Sequence, residues 1–439
     1  MLPVLGLVAL QAYLVFREPI FTPVDELQHT DYVRTIAEEG RLPIYGQARI
    51  DPTLLAIYLH EYPAPLDTTH FRLPAMVYLD YEALQFPVYY IVAAPVYKIF
   101  DRDPRAAIYA LRLQNVLFSA ALLLVLMLML RRLFSGRPEV AALAPLAFLM
   151  MPGVSLRHSQ VTNEVLAALL LAALFALLLQ RGNASPGRLA LAEGALLGIA
   201  VMTKITVIGA GPSVLAAWAT RTGGLRPRLL PGAIGFAITM LPWLAWSLAV
   251  YHFPLPWVTA HIGVTFCNCS APNTAAIWSE FMRALWVNFV LPFEWVGSSG
   301  ACNPTCFSIS PRTELMRAGL FAAGILSVAV VGWSLWTLRS RDTGARRPVL
   351  LAVIAIVGVG LGIIGLDVSL NRFWSTDLRE VYAYAAPLVL LLGGLAASFD
   401  RRWVVLVLGA MIILWVVIDY QIYTSTNCAG CPPGYFRVP

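Results

Sequence analysis

The chain has 439 residues, 59% hydrophobic and 13% charged, with a net charge of +6 and a mean hydropathy of +0.70. A soluble domain carries about 25% charged residues, so the composition excludes one and specifies an integral membrane protein. Apolar runs of roughly 15–25 residues recur along it, which makes the expected fold all-α and polytopic rather than a barrel. The modest positive charge needs no nucleic acid to explain it.

The first apolar run, 1–17, lacks a basic leading segment and has no small-residue cleavage site after it. It is therefore expected to stay as a span and not to be removed as a signal peptide. Ten further spans are expected at 106–130, 140–154, 162–180, 189–203, 205–220, 229–250, 314–338, 349–366, 381–398 and 403–419, about eleven in all. Five connections between them are short and basic: "RRLFSGR", "RGNASPGR", "TRTGGLRPR", "RSRDTGARR" and "DRR". With the N-terminus inside, all five are cytoplasmic, as the positive-inside rule demands, and the C-terminus is outside. This places the chain in the plasma (inner) membrane with its elaborated loops on the extracytoplasmic side. The reading is one membrane domain, 1–439, with a first outer loop at 17–105, a second at 251–313 and an outer tail at 420–439. No internal repeat or separate soluble domain is visible.

Within the first outer loop "QFPVYYIVAAPVYKIF" is apolar but short and interrupted by Pro87 and Pro95. It is expected to lie in the outer interface as a helix anchored by its tyrosines. "IWSEFMRALWVNFVLPFEW" in the second outer loop reads the same way. The six cysteines, Cys267, Cys269, Cys302, Cys306, Cys428 and Cys431, all fall in segments placed outside. An even, exported set implies disulfides. Six cysteines allow fifteen pairings, and the sequence does not choose among them. A metal site is the alternative, although "CAGCPP" lacks the histidine of a haem-attachment motif.

The most polar stretch of the first hundred residues, "TPVDELQHTDYVRTIAEEGRLP", follows the first span directly. It reads as a helix start with Thr22 as N-cap, Pro23 at N1 and Asp25 at N3. At 100° per residue Asp25, His29, Tyr32, Val33 and Ile36 share one face, and Asp31, Arg34 and Glu38 lie opposite, with Leu27 the exception. Two ionisable groups thus sit on the apolar side. Such groups are costly against a membrane domain and by default mark function. Glu26, about 100° round, could reach the same cleft. Desolvation there would raise a carboxyl pKa toward a value suited to a general base. The plain alternative is that Asp25 only caps the helix.

"PVDELQH", followed by "GRLP", resembles the first outer loop of the GT-C superfamily of membrane glycosyltransferases, and most closely a bacterial branch opening Pro-x-Asp-Glu-x-x-His. That superfamily includes the protein O-mannosyltransferases, the lipid A aminoarabinose transferases and the oligosaccharyltransferase catalytic subunits. "FPVYYIVAAPVY", "MPGVSLRHSQVTNEVLAALL", "LLGIAVMTKIT" and "LREVYAYAAPLVLLL" resemble later elements of the same branch, in the same order. The cysteine-bearing loop resembles nothing in it. The resemblance implies transfer of a sugar from a polyprenyl-phosphate donor to a protein, glycan or lipid acceptor at the outer surface. It carries the catalytic acid over to Asp25, with Glu26 and His29 beside it. The leaving phosphate needs cationic partners, for which Arg157, His158, Lys204, Arg372 and Arg379 are the candidates, Lys204 first. Each would otherwise be an interfacial anchor. A divalent cation held by Asp25 with Asn163 and Glu164 is a further implication. Two other readings fit less well: a non-catalytic subunit of a membrane complex, and a transporter, which would carry its polar residues at midplane and show inverted repeats.

Overall fold

The computed structural model describes residues 2–18, 20–21, 25–61, 80–180, 185–254, 314–340, 343–369 and 378–424. Those residues form helices and no β-strand element. In chain order the helices are α1 (Leu2–Arg17), α2 (Glu26–Glu39), α3 (Pro52–Glu61), α4 (Val88–Ile99), α5 (Pro104–Leu133), α6 (Pro138–Leu149), α7 (Pro152–His158) and α8 (Glu164–Leu178). There follow α9 (Pro186–Val201), α10 (Gly211–Thr220), α11 (Arg226–Tyr251), α12 (Glu314–Arg339), α13 (Thr343–Ser369), α14 (Ala385–Ala397) and α15 (Arg401–Thr424). Short 3-10 segments cover Tyr81–Leu84, Ile205–Ala210 and Leu378–Tyr384.

Each expected apolar segment falls on a helix or a helix pair. Among the described residues four helices can cross a membrane alone by length and composition: Pro104–Leu133, Arg226–Tyr251, Arg317–Arg339 and Arg401–Tyr420. The segment expected as one straight span at 140–154 is instead two helices, α6 and α7, bent by 77°. The cause is local. Met151 precedes Pro152, and a residue before proline is pushed out of the helical region; Met151 accordingly sits extended at φ −61°, ψ 131°.

α5 is the central post. Asp103 caps it by accepting from the amides of Arg105 and Ala106, with Pro104 at the first position, where its missing N–H costs nothing. Around α5 pack α1, α4, α6 and α8. Hydrophobic burial does not drive helix association within lipid, so close approach must come from small residues. α9 and α11 show this: a Cβ on Gly194 would collide with the Gly232 carbonyl, and one on Gly235 with the Leu191 carbonyl.

The apolar interior falls into two clusters. The larger lies among the membrane helices. The smaller joins α2, α3 and α4 to the start of α5 and contains Tyr32, Val33, Tyr89, Tyr90, Tyr97 and Leu111. This corrects the expectation for α4. Its tyrosines turn inward onto α2 and α5, and it is Ile91, Val92 and Ile99 that are exposed. The corresponding segment of the second outer loop and all six cysteines lie outside the described residues.

Candidate active site

α2 begins at Glu26, three residues later than expected. Asp25 occupies the cap position in the left-handed region, at φ 66°, ψ −16°, and its side chain makes no capping hydrogen bond. The expected placement of Asp25 at N3 is therefore wrong; Thr22 and Pro23 lie outside the described residues. Aspartate tolerates the left-handed region better than most residues, yet such a conformation costs of order 1–3 kcal/mol and clusters at functional sites. Gly40 ends α2 at φ 65°, its N–H donating to the Ile36 carbonyl, the usual glycine termination. The expected face holds in that His29, Tyr32 and Val33 are buried. The expected polar face does not, because Asp31 is buried too. Its Oδ1 accepts from Arg34 Nε at 2.7 Å and from the Asp51 amide at 3.1 Å. Burial holds the Asp31 carboxyl above its usual range, against the pull of Arg34.

The neighbouring acid has a wholly different setting. Glu26 is buried and takes a two-pronged grip from Arg112 of α5, Nε to Oε1 at 2.8 Å and Nη2 to Oε2 at 2.7 Å. The Val161 amide adds a third bond to Oε1 at 2.9 Å. Arg112 also donates to the carbonyls of Val15, at 3.0 Å, and Glu18, at 3.3 Å. One guanidinium thus ties the end of α1, the start of α2 and α5 together. Glu18 in turn accepts from Ser159 at 2.9 Å and Gln160 at 3.1 Å. Burial pushes the Glu18 carboxyl up to about 8, partly offset by Arg112 and reinforced by the charge of Glu26.

One turn into α2, His29 Nδ1 shares a 2.8 Å hydrogen bond with the Tyr90 hydroxyl, and Glu82 Oε2 stands 3.7 Å from the same nitrogen. Tyr90 stacks on Tyr32 with ring centroids 3.8 Å apart. Buried Asp80 completes this acidic side. Its carboxyl is held well above the usual range by burial first and then by the charges of Asp31 and Glu82.

The stretch from the end of α6 through α7 into α8 runs over the same ground and is buried without a break from residue 151 to 168. Asn115 of α5 donates to the carbonyls of Gln160, at 2.6 Å, and Thr162, at 3.0 Å. Asn163 donates to the Thr203 carbonyl at 3.1 Å, and Lys204 Nζ lies 3.5 Å from Glu164 Oε1. The structure therefore brings Glu164 and Lys204 together where the start of α8 meets the segment after the end of α9. Arg157 donates to Gln160 Oε1 at 3.0 Å. His158 is fully buried, with Nδ1 3.1 Å from Ser119 Oγ, a setting inside the bundle and not at an exposed span end. Arg372 lies outside the described residues, and of Arg379 only the backbone, in Leu378–Tyr384, is described. Among the described residues no group of three or more His, Cys, Asp or Glu side chains is placed to hold a metal ion.

Sequence reasoning missed Arg112, Glu18, Asp80 and Glu82. Arg112 had a signal: it interrupts the apolar run of α5, and a charge inside a span marks a specific partner.

The comparisons with known proteins fall on this framework. The family model for dolichyl-phosphate-mannose-protein mannosyltransferases matches residues 85–246. No curated protein sequence matches the chain. Among solved structures it is similar to ArnT from Cupriavidus metallidurans bound to undecaprenyl phosphate, at 19% identity and TM-score 0.57, covering 98% of this chain and 66% of that one. The same protein in its apo state gives 18% identity and TM-score 0.58 over the same shares. The chain thus spans just under two thirds of the length of these relatives, and the likeness establishes the fold. The likeness to dolichyl-phosphate-mannose-protein mannosyltransferases thus holds over residues 85–246, and the likeness to ArnT holds in the fold.

Proposed function

We propose that the chain is an inverting glycosyltransferase that moves a sugar from a polyprenyl-phosphate donor to an acceptor at the outer membrane surface, with Asp25 as general base. The observation that carries this reading is the contrast between two adjacent acids. Glu26 has three hydrogen bonds and a buried arginine, so its basicity is spent on structure. Asp25 is half-buried, held in a costly backbone conformation at a helix start, and unused as a cap. Its carbonyl accepts the first helical bond, from the His29 amide at 2.9 Å, and its strained backbone is of the kind that clusters at functional sites.

In the reaction Asp25 accepts the proton of an acceptor hydroxyl. The acceptor oxygen forms a bond to the anomeric carbon as the bond from that carbon to the phosphate oxygen breaks. The electron pair leaves on the polyprenyl phosphate. Lys204, with Arg157 and Arg379 as further cations, is assigned to that developing charge. His29, held by Tyr90, orients Asp25 or a substrate hydroxyl. Support for the donor class comes from the family model and from the likeness to a chain crystallised with undecaprenyl phosphate. Support for the membrane side comes from the five basic connections, which put the site opposite the cytoplasm.

General-base assistance contributes about 10²–10⁴ in rate. Asp25→Asn is expected to lower transfer from a polyprenyl-phosphate sugar by at least about a hundredfold with the folded yield unchanged. Full activity in that variant overturns the assignment of Asp25. A wild-type chain that binds the donor and never turns it over would favour the non-catalytic subunit.

A further inference from the structure

A cavity of about 370 Å³ lies among α6, α12, α13, α14 and α15 and reaches Met151, where the buried stretch 151–168 begins. It follows α12 from Ala323 to Leu338, about 22 Å of helix. Its polar wall groups are Ser327, Ser334 and the indole N–H of Trp415; the Ser334 hydroxyl donates to the Val330 carbonyl at 2.6 Å, and the Trp415 Nε1 is buried with no hydrogen-bond partner among the described residues. The rest of the wall is apolar, which suits an occupant that is mostly hydrocarbon. Val331 and Leu335 of α12 and Val357 of α13 line the cavity and are also more than half exposed, so it opens sideways between two helices, toward lipid.

The two ends differ in charge. Beyond Leu338 stand Arg339 at the end of α12, Arg346 in the first turns of α13 and Arg401 and Arg402 at the start of α15, all exposed. Trp336 and Trp403 are exposed at the same level, as aromatic side chains are at a headgroup boundary. Basic connections alone satisfy the positive-inside rule anywhere along a helix bundle. Here the arginines come from three of the helices that wall one apolar cavity and lie beyond it on one side. Arg339 follows the lining residue Leu338 directly, whereas Arg346 and Arg402 precede the first lining residues of their helices, Val353 and Met411, by about two turns or more. Arg401 Nε stands 3.9 Å from Glu139 Oε2. The Lys204 region is separate: its 3-10 segment packs through Gly209 on Gly358, on the face of α13 turned away from the cavity.

We propose that this cavity is a binding site for one acyl chain of an anionic phospholipid from the leaflet on the arginine side, its phosphate met by Arg339, Arg346, Arg401 and Arg402. The chain enters between α12 and α13 and runs along α12 toward Ala323. The headgroup stays in the interface, where each arginine adds attraction for an anionic lipid. The site serves to fill the gap between α12 and its neighbours, and it rests on no step of the transfer reaction.

The test uses the full chain, reconstituted in bilayer discs of equal parts phosphatidylglycerol and phosphatidylcholine and then taken into mild detergent for native mass spectrometry. The expected result is a retained phospholipid, phosphatidylglycerol in preference to phosphatidylcholine. Ser327→Phe, filling the middle, and Val331→Trp, blocking the mouth, should each lower retention about tenfold. Two variants guard against a single misfolded one. Arg346→Gln with Arg402→Gln should keep retention and lower the preference for phosphatidylglycerol about tenfold. No retained lipid, retention unchanged in both filled variants, no headgroup preference, or a polyprenyl lipid retained in place of the phospholipid would each overturn the proposal.

Discussion

Asp25 and Glu26 are chemically alike and one bond apart in sequence, yet substitution should affect them in opposite ways. Glu26→Ala leaves the Arg112 guanidinium buried without the carboxylate that grips it, a loss that costs about 3–5 kcal/mol. Thermal unfolding of that variant should show a large drop, and a normal transition would mean that water reaches Arg112. Asp25→Asn should leave stability unchanged or slightly raised, since asparagine is at home in the left-handed region. Glu18 adds a pH dependence of its own. Its folded pKa of about 8 lies above the ordinary value of 4.5, so between these limits the folded state binds more protons than the unfolded one. Stability should then fall as pH rises from about 4.5 to about 8, and Glu18→Gln should flatten that slope. Unfolding midpoints measured across this window, with and without the substitution, check the sign.

At the scale of elements, the α9–α11 contact depends on the absence of side chains. Gly194→Leu forces a side chain into the Gly232 carbonyl, and overpacking of this kind costs about 1–3 kcal/mol. The same change at Gly324, where nothing stands within 4 Å of a Cβ, should cost far less, and comparison of the two melting curves separates packing from propensity. The positions of the helices were legible because hydropathy and length alone place apolar runs. The 77° break at Met151–Pro152 was legible in principle from the proline and was still read as one span, because hydropathy does not register a bend. The start of α2 was misread for a different reason. Thr22-Pro23 is a sound capping signal, but a left-handed Asp25 is set by what surrounds it. Arg112 was lost because its partner is 86 residues away in sequence, and no local pattern announces a pair so distant. The inward turn of Tyr89, Tyr90 and Tyr97 came from the same blindness to what α4 would pack against.

For the whole molecule, the orientation drawn from the basic connections makes a sharp demand. All six cysteines should react with a membrane-impermeant thiol reagent added outside intact cells after reduction, and an added cysteine in "TRTGGLRPR" should not. Protection of Cys302 and Cys428 under those conditions would invert the topology and move the proposed chemistry to the other side. The candidate site itself is assembled from the segment around α2, the connection from α7 to α8 and the α9 terminus, three segments far apart in the chain. Their meeting is carried by Arg112, Asn115 and Asn163, side chains whose roles depend on the fold being complete.

The segment "SQVTNE" has the composition of a surface loop, and by that measure its amides should trade hydrogen with water almost freely. Its burial, continuous with the helices on both sides, reverses this. Loop amides usually open at little cost, whereas those of a core open only with larger units. The Val161 amide is held by Glu26, which Arg112 holds in turn, so its protons should persist on the timescale of the membrane helices. Glu26→Gln should release them early. Hydrogen–deuterium exchange followed at this one stretch would thus report directly on the clasp that sets Asp25 in place.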